Sequence, residues 1–152
     1  MAARCCVTGV KRGALRRRYK PGDFDLVVRR ASAGLGLFTA SAIPKGACVI
    51  EYTGVPITRE EMYTSNSRYL FEINSRRMID GRPRWNTARY INHSCRPNCE
   101  IEIAKGRVWV FARRNIKPGE ELGYDYGEDY VKAYLSGKCL CVKCAPIEKK
   151  AA

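Results

Sequence analysis

The chain of 152 residues and 17.2 kDa has room for one ordinary domain. Its 45% hydrophobic and 28% charged residues are typical of a folded globular protein and exclude an intrinsically disordered chain. No apolar run approaches the ~18 residues of a membrane-spanning helix, so the sequence excludes a helical membrane protein.

The net charge of +13 is concentrated near the N-terminus. Residues 1–20 contain seven basic side chains and no acidic one, whereas the rest of the chain has 21 basic and 15 acidic residues. We expect residues 1–20 to form a basic, flexible arm. A solvated tail without a partner explains such an arm, and the alternatives are contact with nucleic acid or an acidic partner, or an import signal. The first residues lack the apolar core of a secretory signal, which favours an intracellular protein.

The predicted elements are mostly short strands separated by turns. A capping-box pattern at Thr58 and Glu61 predicts a short helix over residues 59–64. Lys105 and Gly106 lie between two segments of alternating apolar and polar residues, which predicts a hairpin. In chain order, we expect strands at 24–28, 47–52, 69–73, 99–104, 107–112 and 120–126, with one or two helical turns at 129–135 ended by Gly137. The sequence therefore predicts a mainly β domain with irregular loops.

Eight cysteines is a high number for this length, and their spacing favours a metal site over disulfide bonds. Cys139, Cys141 and Cys144 lie within six residues, whereas Cys48 lies in an apolar strand. Thiols separated by only one or two residues suit a tetrahedral metal, and zinc is the usual ion of such a site. We therefore expect a reducing compartment and a zinc site.

Three further motifs contain residues able to form a small-molecule site. Gly34-x-Gly36 lets the backbone approach a ligand closely, but taken alone the motif favours a plain tight turn. In the loop from Arg89 to Cys99, the chain's single histidine, His93, lies two residues before Cys95. A nucleophilic Cys-His pair is disfavoured there, because no carboxylate is obviously placed to orient the ring. Tyr124 and Tyr126 alternate along a strand, so they either wall one cavity or pack in the core.

Taken together, these motifs resemble those of the SET-domain protein lysine methyltransferases with a cysteine-rich post-SET segment. The resemblance rests on the order of Gly-x-Gly, Asn-His-Ser-Cys-x-Pro-Asn, Gly-Tyr-Asp-Tyr-Gly and the Cys-x-Cys tail, and it covers about residues 24–144. It implies a SET-domain fold of several short curved sheets, with a knotted C-terminal segment and few short helices. The implied boundaries are a basic arm at 1–20, a SET domain at 21–137 and a zinc-binding tail at 138–152.

The resemblance also implies two sets of site residues. Tyr126 matches the family's tyrosine beside the transferring methyl group. Tyr124 matches the position at which members of the family have either phenylalanine or tyrosine, and Tyr52 matches a residue in the wall of the lysine channel. The residues that match the S-adenosylmethionine site are Gly34, Leu35, Gly36, Leu37, Tyr69, Arg89, Asn92, His93 and Leu140. A tyrosine at position 124 leaves little room for added methyl groups, so we predict mainly monomethylation.

The metal ligands implied by the resemblance are Cys95, Cys139, Cys141 and Cys144. In the family, four residues usually separate the last two tail cysteines, but here only Val142 and Lys143 intervene, so Cys99 stays open as a substitute for Cys144. The closed tail would bring Leu140 near the adenine of the cofactor.

The expected activity is transfer of a methyl group to a lysine of a histone or other basic protein, by an enzyme that we expect to be a monomer. If the protein is eukaryotic, or is delivered into a host cell, we expect it in the nucleus or on chromatin. If it is a bacterial protein that stays in its own cell, we expect it in the cytoplasm. Two alternatives remain open. One is a catalytically silent SET-like module that binds protein or nucleic acid, and the other is a small zinc-dependent nucleic-acid-binding protein.

Overall fold

The computed structural model describes residues 19–135, 139–141 and 144. The elements are ten short strands, a 3₁₀ turn and two short helices within those residues. In chain order they are β1 (Leu26–Ala31), β2 (Gly34–Thr39), β3 (Cys48–Tyr52), β4 (Val55–Ile57), α1 (Arg59–Thr64), β5 (Leu70–Asn74), β6 (Arg77–Asp80), the 3₁₀ turn (Thr87–Tyr90), β7 (Asn92–His93), β8 (Cys99–Ala104), β9 (Arg107–Ala112), β10 (Gly123–Tyr124) and α2 (Glu128–Tyr134). Neither α-helix has the length or apolar character of a membrane span.

In this part of the chain the strands form four small sheets, which confirms the predicted mainly β fold. The β1–β2 hairpin is separate, whereas β3-β9-β8 and β4-β6-β5 are three-stranded antiparallel sheets. The short strands β7 and β10 pair in parallel, with Asn92 opposite Gly123 and His93 opposite Tyr124. The sheets enclose one main core, whose fully buried side chains include Leu37, Ile43, Val108, Val110, Ile116 and Leu122.

Two locally encoded elements match their predictions. Helix α1 covers residues 59–64, and its capping box is complete because Thr58 Oγ1 accepts the Glu61 N–H while the Glu61 carboxylate accepts the Thr58 N–H. The β8–β9 hairpin has the predicted bounds, with φ of 52° at Lys105 and 70° at Gly106. Positive φ at both central residues is the geometry of the turn that matches the twist of paired strands.

Other bounds differ from the prediction because pairing partners decide them. The first strand begins at Leu26 and extends to Ala31, since all six of its residues pair with the glycine-rich stretch, which is itself strand β2 rather than a turn. Only Gly123–Tyr124 of the predicted strand 120–126 forms a named strand, although Glu121 also bridges to Phe38. The pair of strands β4 and β6 was not predicted, and Gly137 lies outside the described residues.

Candidate active site

The β7–β10 pair brings the Asn-His loop against the tyrosine strand. Buried Asn98, which follows the Asn-His loop, binds the tyrosine segment twice: its side-chain N–H donates to the Glu121 carbonyl at 2.7 Å, and its oxygen accepts the Gly123 N–H at 2.9 Å. Ser94 N–H also donates to the Tyr124 carbonyl at 3.0 Å. Two motifs that are about thirty residues apart in the chain thus share one backbone framework.

A wide cavity of about 540 Å³ opens beside this framework. Six of the residues predicted to bind the cofactor line it, namely Leu35, Tyr69, Arg89, Asn92, His93 and Leu140. The lining also includes residues that the sequence did not single out, among them Arg68, Arg84, Tyr90 and Tyr130. The cavity therefore gathers donors, acceptors and aromatic faces from six separate chain segments.

The other three predicted cofactor residues lie outside the cavity lining. Leu37 is 0% exposed and belongs to the hydrophobic core. Gly34 has a φ of 109° at the start of β2, a conformation that L side chains rarely adopt. At Gly36, an added Cβ would lie 2.4 Å from a Glu121 carboxylate oxygen, so the missing side chain makes room for that carboxylate.

A narrow aromatic channel of about 40 Å³ adjoins the wide cavity. The three predicted catalytic tyrosines, Tyr52, Tyr124 and Tyr126, line it together with Leu70, Phe71 and Tyr130. The Tyr126 ring centroid lies 4.7 Å from that of Tyr124 and 4.9 Å from that of Tyr130. Arg68, Tyr69, Arg89, Tyr126 and Tyr130 line both spaces. The wide cavity and the channel therefore meet at these five residues.

Backbone carbonyls fix the hydroxyl groups of the channel. Tyr52 donates to the Tyr69 carbonyl at 3.1 Å, and Tyr130 donates to the Arg68 carbonyl at 2.6 Å. Tyr126 donates to the carbonyl of Ile91. Burial raises the pKa of Tyr52 well above its ordinary value, so this phenol is neutral at pH 7. The hydroxyl groups of Tyr52, Tyr126 and Tyr130 are accordingly held by the backbone.

Arg89 is one of two arginines, with Arg68, that line both the wide cavity and the channel. Its guanidinium lies 4.3 Å from the Tyr69 ring and 5.4 Å from the Tyr90 ring, and it donates to the carbonyl of Arg82. Within the described residues, its buried Nε has no hydrogen-bond partner. Because Arg68 and Arg84 line the same cavity, its wall is positively charged and suits a ligand that carries an anionic group.

His93 links the channel to the cysteine cluster. Its Nδ1 accepts the Tyr126 N–H at 3.2 Å, so the proton is assigned to Nε2, which lies 3.3 Å from Cys95 Sγ. Burial lowers the pKa of His93, and the Asp125 carboxylate, 3.7 Å from Nδ1, opposes this effect. The sequence did not reveal Asp125 as a neighbour. Since Nδ1 already accepts a hydrogen bond, the arrangement is not that of a nucleophilic triad.

The four cysteines predicted as metal ligands come together. The sulfur atoms of Cys95, Cys139, Cys141 and Cys144 all lie within 4.8 Å of one another. Cys95 Sγ is 3.6 Å from both Cys139 Sγ and Cys144 Sγ. Tetrahedral ligation with Zn–S bonds of ≈ 2.3 Å requires sulfur separations of about 3.8 Å, so this donor set fits zinc.

Cys99, the alternative ligand, is not part of that cluster. It lies in β8, is 1% exposed, and belongs to the hydrophobic core. Burial raises its pKa to about 12. The structure thus places Cys144, and not Cys99, beside the other three ligands. The cluster also adjoins the wide cavity, since both Leu140 and Cys141 line that cavity.

Comparisons with known proteins identify the family of this chain. The family model for the SET domain matches residues 34–127. The chain is 39% identical over 127 residues to histone-lysine N-methyltransferase trr of Drosophila melanogaster, and this alignment covers 76% of this chain and 5% of the relative. It is 37% identical over 139 residues to human histone-lysine N-methyltransferase 2D, and this alignment covers 84% of this chain and 2% of the relative.

A third relative, the H3 lysine-4 specific histone-lysine N-methyltransferase of Chaetomium globosum, is 38% identical over 125 residues, 74% of this chain and 11% of the relative. The chain therefore spans about a tenth or less of the length of these curated relatives. Among solved structures, KRYPTONITE in complex with mCHH DNA, an H3(1-15) peptide and SAH is similar, with a TM-score of 0.60 and 38% identity over 68% of this chain and 23% of that chain.

Proposed function

The chain belongs to the SET-domain family, and we propose that it transfers a methyl group from S-adenosylmethionine to the ε-amine of a lysine in a protein substrate. The observation that supports this most is the junction of the wide cavity with the narrow aromatic channel at Tyr126. Two reactants that enter from opposite sides would meet there, and methyl transfer chiefly requires their alignment.

The wide cavity suits the cofactor in size and in chemistry. S-adenosylmethionine, when bound, supplies the methyl group on a sulfonium. Asn92 and His93 would hold its methionine and adenine portions, and Leu140 would cover the adenine. The buried Arg89 Nε and the neighbouring arginines would satisfy an anionic group such as its carboxylate.

The channel suits an alkyl amine. Its volume of about 40 Å³ admits only a few atoms, and its aromatic walls exclude bulk water. Desolvation there, together with the positive charge of Arg68 and Arg89, lowers the pKa of an inserted lysine and favours the neutral, nucleophilic amine. We infer that Tyr126 and Tyr52 hold this amine in line, so that a dedicated histidine base is not required.

Tyr124 carries the finer proposal, which concerns the product. Its side chain is buried in the channel wall, with its ring 4.7 Å from that of Tyr126. A hydroxyl at this position occupies space that a methylated amine would need. We therefore propose that the enzyme makes mainly the monomethylated product.

We propose zinc as the ion held by Cys95, Cys139, Cys141 and Cys144, with a structural role. Four thiolates close the coordination shell, so such a site binds no substrate. Its role would be to fix the tail at residues 138–152 on the domain at residues 21–137, with the arm at residues 1–20 as a separate basic segment.

Histones or other basic proteins are the proposed substrates, and a nuclear or chromatin location is the proposed site of action. The names of the curated relatives support this, because all three are histone-lysine N-methyltransferases. The neighbour KRYPTONITE was solved with an H3 peptide and with DNA. The basic residues of the arm would contribute any contact with nucleic acid.

The test is methyl transfer from labelled S-adenosylmethionine to a mixed histone set and to a cell lysate, with Tyr126→Phe as the matched variant. Label on a defined protein, reduced at least tenfold in the variant, is the expected result. A folded, zinc-loaded protein that binds S-adenosylhomocysteine but labels nothing would favour the silent binding module instead.

A further inference from the structure

The amide of Asn92 is held in a single orientation by two acceptors. Its Nδ2 donates to the Leu35 carbonyl at 3.0 Å and to a Glu121 carboxylate oxygen at 2.7 Å. Neither a backbone carbonyl nor an ionised carboxylate can donate a hydrogen bond, so the NH₂ group must face them. Both N–H bonds of the amide are thereby used.

The carbonyl oxygen of Asn92 is the polar atom that remains for a ligand. Asn92 lines the wide cavity and also an adjoining second cavity of about 380 Å³. Within the described part of the chain, no hydrogen bond involves its Oδ1. The site therefore presents an acceptor, and not a donor, to whatever lies beside Asn92.

The fold brings Glu121 to this position through backbone pairing with β2. Glu121 bridges to Phe38, and the Leu122 N–H donates to the Leu37 carbonyl at 2.7 Å. The approach also depends on Gly36, because a Cβ there would lie 2.4 Å from the same carboxylate oxygen that accepts from Asn92. The absence of a side chain at Gly36 thus leaves room for the Glu121 carboxylate to reach Asn92.

We propose that Glu121 is a positioning residue for the cofactor: it orients the Asn92 amide so that Oδ1 accepts a hydrogen bond from the α-ammonium group of S-adenosylmethionine. This inference rests on the proposed function. Without Glu121, the amide can turn and point its NH₂ group at the ammonium, which replaces an attraction by a repulsion. The negative charge of Glu121 acts through Asn92 and not directly.

The test measures binding by calorimetry to two probes, S-adenosylhomocysteine and its analogue in which hydrogen replaces the α-amino group. Glu121→Ala should bind S-adenosylhomocysteine about tenfold more weakly, which equals about 1.4 kcal/mol, but should bind the deamino analogue as the wild type does. Glu121→Gln keeps an acceptor for Asn92 and should recover most of the loss. Glu51→Gln, which removes a carboxylate of β3 from its ion pair with Arg107 of β9, is the matched charge control.

Each result separates the hypotheses. If the wild type binds neither probe, the proposed function fails. If the wild type binds S-adenosylhomocysteine and Glu121→Ala weakens both probes equally, Glu121 is only structural and the inference is wrong. If Glu121→Gln loses as much affinity as Glu121→Ala, charge rather than orientation matters, and the inference is again wrong. Unchanged binding by both variants would also overturn it.

Discussion

Gly81 lies outside every motif, yet the structure predicts that Gly81→Ala damages the aromatic channel. A Cβ at position 81 would lie 2.3 Å from the Tyr52 hydroxyl oxygen and 2.6 Å from two of its ring carbons. Ordinary contact begins at 3.4 Å, so one of the groups must move by roughly 1 Å. The Gly81 backbone itself is held, because its N–H donates to the Tyr69 carbonyl at 2.9 Å.

Tyr52 has little freedom to move away. It is 5% exposed, its hydroxyl donates to the Tyr69 carbonyl, and its ring centroid lies 5.3 Å from that of Phe71. Overpacking typically costs about 1–3 kcal/mol, and a weakened hydrogen bond adds about 1 kcal/mol. The expected loss of roughly 2–4 kcal/mol corresponds to a melting temperature lower by roughly 4–16 °C for a domain of this size.

Thermal unfolding and methyl transfer together provide the assay. Transfer should fall at least tenfold in Gly81→Ala, whereas the affinity for S-adenosylhomocysteine should hold within about twofold, because Tyr52 lines the channel and not the wide cavity. In a Tyr52→Leu background the shorter side chain leaves room for the methyl group, so the added cost should largely disappear. The steric argument would be refuted if Gly81→Ala had the melting temperature and the methyl-transfer activity of the wild type. It would also be refuted if the substitution lowered the stability equally in the wild-type and Tyr52→Leu backgrounds.

Three further outcomes are expected. Tyr124→Phe should raise the fraction of di- and trimethylated peptide in mass spectra, and an unchanged product ratio would contradict the role given to Tyr124. Burial raises the pKa of Cys48 to about 11 and that of Cys99 to about 12, so peptide mapping should find both unalkylated by iodoacetamide at neutral pH until the protein unfolds. The hydrogen bond from Arg114 lowers the pKa of Glu120 in the folded protein. The pair therefore stabilises the fold when the pH is above the pKa of an unfolded glutamate, ~4.3. This stabilisation is lost as the pH falls through the lower pKa that Glu120 has in the folded protein. Denaturant unfolding of Glu120→Gln should thus show a loss of about 0.5 kcal/mol at pH 7 and none in strong acid.

Elements whose signals are local were predictable from the sequence. The capping box of α1 needs only Thr58 and Glu61, and the β8–β9 turn needs only Lys105 and Gly106 to adopt positive φ. Most of the candidate residues that line the two cavities could be singled out for another reason, namely that their motifs resemble those of a known family. The cysteine ligands combine both sources, since their spacing alone already favours a metal.

What the sequence could not reveal are contacts between distant positions that leave no local pattern. Glu121 meets Asn92 across 29 positions, and Gly81 meets Tyr52 across the same number. Asp125 approaches His93 only because β7 and β10 pair, and a two-residue strand has no detectable periodicity. Strand β2 was missed because its glycines suggest a turn, whereas pairing with β1 makes them extended.

The position of the cysteine cluster has a thermodynamic consequence for cofactor binding. Cys141 belongs to the cluster and also lines the wide cavity, and Leu140 between two of the ligands lines it too. The Leu140 carbonyl is held by the Ser32 hydroxyl at 2.9 Å, which ties this part of the tail to the turn between β1 and β2. A metal that fixes the tail therefore completes the cavity wall, so the two sites should be energetically coupled.

Coupling between two binding sites is reciprocal. If removal of zinc weakens S-adenosylhomocysteine binding about fivefold or more, saturating S-adenosylhomocysteine must raise zinc affinity by the same factor. Competition with a chromogenic chelator, with and without the ligand, measures this directly. Cys144→Ser should abolish the binding of one zinc ion per chain and, with it, the effect of the ligand on zinc affinity. Cys99→Ala, which removes a buried thiol outside the cluster, should leave both unchanged. Equal zinc affinities with and without ligand would show that the metal-held tail adds nothing to the binding free energy of the ligand, and the proposed coupling would be wrong.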